Sequence, residues 1–380
     1  MSGRDDEPFG VSRRRLLISL AVAAALVAGA AGLIGQVTNF GTMTRAASQA
    51  QLAWLPVCLA GELLAYLGYL VAYRDAARVG GGPQLSVWTA TRVVVLGFGA
   101  FAVGAGAGGL AADYWALHRA SDRPHQSARR VLGMNTLEWA VLGAFACVAS
   151  VATFAGVHTS APFGLALAWV VVVPICVVLA IWFTQPRRVE RLTRIHPSPG
   201  RPAWSQPRRW PAWLAGRLRN GLADAIGGVV VVRAILRRPY RYPAGVAGFP
   251  IYWAGDILTL YAALRAFGIS LGIVALVLAY ASGYVITALP LPAGGAGAAE
   301  ATLASALRLV AVPFGPAVLA AVLYRAFAFW LPIIPALLFL PLARELSDDL
   351  AQTSLQRSED PLARLTGEDS HEPTGEPDAA

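Results

Sequence analysis

The sequence predicts an all-α membrane protein, a polytopic helical bundle built from two inverted halves that each contain a broken re-entrant helical hairpin. Of its 380 residues, 56% are hydrophobic and 14% are charged, and the mean hydropathy is +0.54, as is typical of chains that cross a bilayer repeatedly. The apolar residues form runs of about 20, the length a helix needs to cross hydrocarbon. Two glycine-rich interruptions, within residues 104–109 and 294–297, predict the hairpins, since irregular backbone survives in a membrane only inside protein or beside a cavity.

The N-terminal part of the chain predicts a short tail followed by a membrane domain. Residues 1–12 form the tail, and the membrane domain covers residues 13–342. Three arginines precede the apolar run Leu16–Gly35, which we interpret as an uncleaved first span rather than a signal peptide. The positive-inside rule places the N-terminus in the cytoplasm, and we expect a plasma-membrane protein with both termini cytoplasmic. The other full spans are predicted at Leu52–Tyr73, Val131–Phe154, Pro162–Phe183, Ala244–Leu264 and Phe314–Leu342.

One segment in each half must enter and leave the membrane on the same side. In the first half, Val87–Leu117 lies between two arginine-bearing loops and is too short for two spans of ~20 residues each. The alternative is a helix pair packed through its small residues. In the second half, Ile269–Val310 carries Pro290 and Pro292, which cannot continue a helix. The glycines that follow predict a helix restarting at about Ala298.

The two halves share a plan with opposite orientation. They cover residues 13–183 and 244–342, and in each the glycines lead into Ala-Ala-acid, at Gly108-Gly109-Leu-Ala-Ala-Asp113 and Gly295-Ala-Gly297-Ala-Ala-Glu300. Inverted halves with paired broken helices indicate a transporter site at the membrane midplane. The linker, residues 184–243, is basic, which predicts that it is cytoplasmic. It also contains the pattern of an amphipathic helix, which either lies on the inner leaflet or packs in the cytoplasm.

The C-terminal residues 343–380 are acidic and rich in polar residues, which predicts a disordered cytoplasmic tail. We expect the tail from Ser347 onward to be dispensable for insertion and stability.

Composition excludes several function classes. All 31 basic residues are arginine, which excludes lysine chemistry, and neither the five histidines nor the three cysteines have a metal-binding spacing. We expect no cofactor, and without a phosphate-binding loop ATP does not drive the protein directly. The net charge of +9 comes from arginines that flank apolar spans, so we expect anionic membrane lipids and no nucleic acid as partners.

Charged residues inside spans cost about 2.5–3.5 kcal/mol each on insertion scales and need an explanation. The candidates are Glu62, Arg92, Asp113, Glu138, Asp256, Glu300 and Arg325. We interpret Arg92 and Glu138 as structural residues near span ends. Asp113 and Glu300 at the breaks, and Arg325 in the last span, favour function. Glu62 and Asp256 lie mid-span, either as structural partners of buried arginines or as proton sites.

Two blocks of sequence resemble a known family. The run Pro290-Leu-Pro292-Ala-Gly294-Gly295-Ala-Gly297-Ala-Ala-Glu300 resembles the Pro-x-Pro-Gly-Gly-x-Gly-x-x-Glu signature of the flippase-like lysylphosphatidylglycerol synthase transmembrane-region family. Tyr324-Arg325 followed by Trp330-Leu331-Pro332 resembles its last-helix signature, whereas Ala293 stands where the family usually has glycine. The resemblance implies a lipid as the transported molecule. The synthases of the family carry a further soluble catalytic domain, and nothing after Leu342 resembles a segment that could fold into one, so we expect no synthase activity.

The predicted substrate site combines these elements. Its residues are Pro290, Pro292, Gly294, Gly295, Gly297, Glu300, Arg325, Gly108, Gly109 and Asp113. The guanidinium of Arg325 matches phosphate geometry, and Glu300 pairs with an arginine, accepts a hydrogen bond from a head group or carries a coupling proton.

Three functions remain open at this stage. The first is binding or translocation of an anionic lipid, either a phospholipid or a prenyl-phosphate-linked lipid. The second is a membrane enzyme acting on a lipid head group, and the third is a scaffold. A polar cavity lined by both hairpins would favour transport, clustered carboxylates would favour catalysis, and a dry apolar core would favour a scaffold.

Overall fold

The fold is known from a computed structural model, which describes residues 48–121, 125–183, 226–289 and 295–359 with a few isolated positions. Within these residues all regular secondary structure is helical, which confirms the all-α class. Most of the predicted first span, the linker arginines from Arg187 to Arg219, and Pro290, Pro292 and Gly294 lie outside the described residues.

The helices are numbered here in chain order. They are α1 (Leu55–Arg78), α2 (Val87–Arg119), α3 (His125–Phe154), α4 (Phe163–Phe183), α5 (residues 226–237), α6 (Pro243–Ala266), α7 (Ile273–Tyr284), α8 (Ala298–Leu309), α9 (Phe314–Arg325), α10 (Ile333–Phe339) and α11 (Ala343–Glu359). A 3-10 turn, Val285–Ala288, extends α7, and a π-helical turn, Ala326–Trp330, follows α9.

Four helical segments of the described chain are long and apolar enough to cross a membrane. They are Leu52–Arg78, Gln126–Phe154, Phe163–Trp182 and Phe314–Phe339. Each coincides with a span that the sequence predicts. The fifth predicted span, Ala244–Leu264, falls on α6, a helix of 24 residues that carries a buried aspartate and is not among the four. We describe the chain as an integral membrane protein on these grounds.

Helices α1 and α6 cross at the centre of the bundle through four glycines. A Cβ atom at Gly61 would lie 2.8 Å from the carbonyl oxygen of Gly255, and one at Gly68 would lie 2.6 Å from that of Gly248. The pairing runs in opposite directions along the two helices, so they are antiparallel. Because no side chain fits between the two backbones, glycine sets this close approach. One helix of each predicted half therefore meets its counterpart at the centre.

The segment α2 folds back on itself, although its backbone is helical over all 33 residues. Gly97 and Asp113 would lie about 24 Å apart in a straight helix. Instead, a Cβ atom at Gly97 would lie 3.7 Å from Asp113 Oδ1, and one at Gly108 would lie 2.1 Å from the carbonyl oxygen of Ala100. The chain therefore reverses its direction between Phe101 and Gly108, as a hairpin requires. Asp113 lies on the returning arm, five residues after Gly108, and the prediction that it follows a helix start stays a prediction.

The second hairpin consists of α7, its 3-10 extension and α8. Its arms are packed together, since a Cβ atom at Gly283 would lie 2.7 Å from the Cα of Leu303. The two helical arms have 12 residues each, about 18 Å, which is shorter than a bilayer core of ~30 Å. Gly295 and Gly297 have φ angles of +72° and +83°, which glycine adopts without strain. As predicted, α8 begins at Ala298. Whether either hairpin is re-entrant, and whether the halves are inverted as a whole, stays a prediction.

The beginning of the predicted tail is ordered, which corrects the expectation that it is disordered. Residues Ala343–Glu359 form α11, in which Leu346 and Leu350 are completely buried. Their spacing of four places both on one face of a helix. An acidic composition averaged over the tail hides this short apolar stripe. The carboxylate of Asp349 also pairs with the guanidinium of Arg92 near the start of α2. Residues 360–380 lie outside the described part of the chain.

We therefore expect the tail to be dispensable only beyond α11. A chain that ends after Arg344 should melt at a lower temperature than the full chain, whereas one that ends after Glu359 should match it. Leu350→Ala alone should cost about 2–5 kcal/mol of unfolding free energy, as deletion of a buried leucine does. Thermal unfolding of the purified protein in detergent measures the differences. An unchanged melting temperature after truncation at Arg344 would show that α11 does not stabilise the bundle.

Candidate functional site

A cavity of about 390 Å³, whose largely apolar wall carries several charged side chains, lies among the central helices. Its volume is typical of small-molecule sites. Five charged side chains line it: Glu62, Asp113, Glu138, Asp256 and Arg325. Glu62 and Asp256 come from the crossing helices α1 and α6. The interior is thus not the dry apolar core that a scaffold would favour.

Both hairpins contribute to the wall of this cavity. Gly97 and Gly109, on the two arms of α2, line one part, and Thr287 and Ala288 of the 3-10 extension of α7 line another. At Gly109 a Cβ atom would lie 3.8 Å from the carbonyl oxygen of Gly97, an ordinary van der Waals contact, so a larger side chain there would extend into the cavity. The hairpins therefore form a common chamber.

A tyrosine–carboxylate hydrogen bond ties each hairpin to a central helix. The hydroxyl of Tyr69 on α1 donates to Asp113 Oδ2 on α2, at 3.0 Å. At the second hairpin the carboxylate lies on the central helix and the tyrosine lies on the hairpin. Oδ2 of Asp256 on α6 accepts a hydrogen bond from the hydroxyl of Tyr280 on α7. Tyr324 of α9 also donates to that oxygen, at 3.1 Å. Hydrogen bonds to a charged acceptor are stronger than neutral ones, so these contacts fix the hairpins while the carboxylates are ionised.

Arg325 is held by a buried ion pair beside the second hairpin. Its Nε lies 3.3 Å from Glu300 Oε1, and both side chains are buried. Glu300 Oε2 accepts the backbone N–H of Gly297 at 2.6 Å, so the glutamate also caps the start of α8. The guanidinium lies over the ring of Phe329, with 4.2 Å from Cζ to the ring centroid. Glu300 is not among the residues that line the cavity, but it contacts Arg325, which does line it.

A local backbone irregularity places Arg325 at the end of a helix within the last span. Pro332 has no N–H to donate to the preceding turn. The chain responds with the π-helical turn Ala326–Trp330, in which the N–H of Leu331 donates to the carbonyl of Ala326 at 2.9 Å. Such turns are frequent at functional sites. The Tyr-Arg…Trp-Leu-Pro pattern thus has a structural reason, because the proline ends the regular helix just beyond the arginine.

Two carboxylate oxygens in the cavity wall have no hydrogen-bond partner among the described residues. They are Glu62 Oε2 and Asp256 Oδ1, on side chains that are 5% and 3% exposed. The two carboxylates interact electrostatically with each other and with Arg325. An ionised carboxylate that is buried without a partner is costly. These two positions are therefore where the cavity has unsatisfied binding capacity.

The structure brings together part of the predicted site. Gly109, Asp113 and Arg325 line the cavity, while Gly297 and Glu300 build the adjoining helix start. Gly108 instead packs against the backbone of the opposite arm of α2. The roles of these residues in binding stay predictions.

Sequence reasoning missed several cavity residues. Glu138 was interpreted as a span-end residue, yet it lies near the middle of α3, because that helix begins at His125. The sequence predicted that this span starts at Val131, which put Glu138 nearer its end, whereas the helix starts at His125. Of the tyrosines that hold the carboxylates, Tyr324 belongs to the Tyr-Arg signature, whereas Tyr69 and Tyr280 carried no signal of their own. Glu62 and Asp256 did carry one, as charges in the middle of spans.

Comparison with known proteins agrees with this architecture. The family model described as the lysylphosphatidylglycerol synthase TM region matches residues 16–336. A comparison with curated proteins finds no match. Because the family match covers most of the chain, the protein belongs to the lysylphosphatidylglycerol synthase transmembrane-region family.

Proposed function

We propose that this member of the family binds an anionic membrane lipid in the cavity between its hairpins and moves the lipid head group from one leaflet to the other. The observation that carries the proposal is the cavity with its five charged side chains, because both hairpins and both central helices line it. Broken helices that meet around one polar chamber are the usual architecture of a transport site.

The proposed pose follows from the chemistry of the wall. Arg325 offers a planar fork that suits the phosphate of a phospholipid or of a prenyl-phosphate-linked lipid. Hydroxyl groups of the head group would donate to the carboxylates of Asp113 and Glu138. A chamber of about 390 Å³ holds a head group but not a whole lipid. The hydrocarbon chains therefore remain in the bilayer during transport.

Movement of the hairpins would expose the chamber to each leaflet in turn. Both hairpins consist of short arms, and tyrosine–carboxylate bonds tie them to α1 and α6. Each of these hydrogen bonds is either formed or broken, so the hairpins can adopt two positions, as a gate with two states requires. The arginine distribution supports cytoplasmic termini in the plasma membrane, so transport would connect the inner and outer leaflets.

Filling the chamber tests this function. Gly109→Leu should slow lipid movement about tenfold or more, because the leucine occupies space that the head group needs and each 1.36 kcal/mol added to the barrier for its passage is a factor of ten. The assay uses vesicles that contain NBD-labelled phosphatidylglycerol, and dithionite bleaches the label in the outer leaflet only. The matched control is Gly164→Leu, because a Cβ atom there would meet nothing within 4 Å. A wild-type rate in Gly109→Leu, at equal protein incorporation, would refute a head-group site in this cavity.

The carboxylates that line the cavity favour a second candidate, a membrane enzyme that acts on a lipid head group. Asp113, Glu138 and Asp256 could supply acid–base groups. Among the described residues no cluster of three or more histidine, cysteine or acidic side chains could hold a metal ion. Mass spectrometry of the lipids recovered from the same vesicles decides between the two functions. Transport leaves the lipid chemically unchanged, whereas catalysis produces a new species.

A further inference from the structure

We propose that Glu62 and Asp256 bind a proton in the cavity, and that passage of this proton drives the movement of the lipid. The inference rests on the proposed function, because it concerns the energy source of the same site. Its structural basis is the pair of buried carboxylate oxygens, Glu62 Oε2 and Asp256 Oδ1, that have no partner in the described chain.

The cavity has more acidic than basic side chains in its wall, and a proton-binding site would offset this excess of negative charge. Four carboxylates line the chamber, and Arg325 is the only basic residue among the described residues that do so. That arginine already pairs with Glu300. With all of these groups ionised, a lipid phosphate would enter a negatively charged chamber of low dielectric constant and would be repelled. Protonating Glu62 or Asp256 removes part of this repulsion next to Arg325.

The surroundings of the pair supply few competing charges. From α1 itself the nearby titratable group is Tyr66, whose hydroxyl has no partner in the described chain. From α9 come Arg325 and Tyr324, and from α7 come Tyr280 and Tyr284. Glu138 of α3 adds a further carboxylate. Tyrosines are neutral at ordinary pH, but the hydrogen bonds from Tyr280 and Tyr324 favour the ionised form of Asp256, as does the charge of Arg325. The neighbouring carboxylates favour protonation.

The two carboxylates differ in what their protonation changes. Asp256 accepts hydrogen bonds from Tyr280 of the second hairpin and from Tyr324 of α9. Once Oδ1 carries a proton, the aspartate is neutral and these bonds lose the strength that the charge gives them. Protonation thereby loosens the contact that holds α7 to α6. Glu62 has no such bond in the described chain, and its protonation changes only the charge of the chamber.

Coupling follows from the shared charge. If protonation strengthens binding of the phosphate, bound phosphate must strengthen binding of the proton to the same extent. A proton and a lipid head group therefore enter together from the acidic side and leave together on the other. The proton is released where its concentration is low, and the carboxylates return to the ionised state.

The experiment imposes a pH gradient on vesicles that contain the protein and NBD-labelled phosphatidylglycerol. With one proton per lipid, a difference of one pH unit is worth 1.36 kcal/mol and should shift the distribution of the probe between leaflets about tenfold at steady state. Glu62→Gln and Asp256→Asn mimic the protonated state. They should equilibrate the probe without any gradient-dependent accumulation. The matched controls are Glu345→Gln and Asp348→Asn, on exposed residues of α11, which should accumulate the probe as the wild type does.

The outcomes separate this inference from the proposed function. A wild-type protein that moves the probe equally with and without the pH gradient refutes proton coupling and leaves transport intact. Accumulation driven by a sodium gradient at equal pH refutes the proton as the coupling ion. A wild-type protein that moves no probe at all refutes transport of this lipid.

A second measurement covers variants that do not transport. Infrared spectra of the purified protein in nanodiscs should show a protonated carboxyl band that grows as the pH falls. The band should be weaker in Asp256→Asn and in Glu62→Gln. An unchanged band in both variants would show that neither carboxylate takes up the proton.

Discussion

Replacing Arg325 by alanine is expected to abolish lipid movement and to destabilise the fold by about 3–5 kcal/mol, as removal of one partner from a buried ion pair does. The loss has two parts, because Arg325 both pairs with Glu300 and lines the cavity. Lipid bleaching in vesicles measures the first effect, and thermal unfolding in detergent measures the second. Arg325→Lys should restore only part of either, since it keeps the charge but loses the planar contact with Phe329.

A double variant separates folding from binding. In Glu300→Gln the side-chain amide oxygen can still accept the N–H of Gly297, so the cap of α8 remains. Adding Arg325→Met removes the other charge, and replacing both partners of a buried pair is often close to neutral for stability. We expect the double variant to melt near the wild-type temperature and still to move no lipid. Normal transport by the double variant would mean that Arg325 serves the fold alone.

Gly68→Ala is expected to prevent the protein from accumulating in a folded form. The added Cβ atom would lie 2.4 Å from the backbone nitrogen of Tyr252 and 2.6 Å from the carbonyl oxygen of Gly248. Both atoms belong to the backbone of α6, so no side chain can turn aside and the two helices must separate. Overpacking usually costs about 1–3 kcal/mol of unfolding free energy, and we expect a clash between two backbones to cost about 3 kcal/mol or more. Size-exclusion chromatography of the solubilised membrane fraction measures the folded yield.

The control for this prediction is alanine at a glycine with room beside it. At Gly97 a Cβ atom would have its nearest neighbour 3.7 Å away, an ordinary contact. Gly97→Ala should therefore give a normal yield, whereas Gly248→Ala should fail as Gly68→Ala does. A normal yield for Gly68→Ala would mean that α1 and α6 do not cross as closely as their glycines indicate.

Several features follow from the sequence because they depend on local rules. Apolar runs of about 20 residues predict membrane helices whatever surrounds them. Among the described residues, four of the predicted spans coincide with helices that are long and apolar enough to cross a membrane. Two prolines followed by glycines stop one helix and allow another to start, so the beginning of α8 at Ala298 was predictable. Buried charge is costly wherever it occurs, which drew attention to Glu62 and Asp256 before their surroundings were known.

Other features depend on contacts between distant segments, and only the tertiary structure decided them. The partner of Arg325 was open until α8 and α9 were packed together and placed Glu300 beside it. Glu138 joins the cavity because of where α3 begins. Leu346 and Leu350 order α11 because other helices offer them a place to bury, which no average over an acidic tail can show. The sequence alone thus determined where helices form and which charges need partners, since both depend on neighbouring residues and the solvent. The three-dimensional packing determined which groups meet, because hydrogen bonds, ion pairs and glycine contacts act over a few ångströms between segments far apart in the chain.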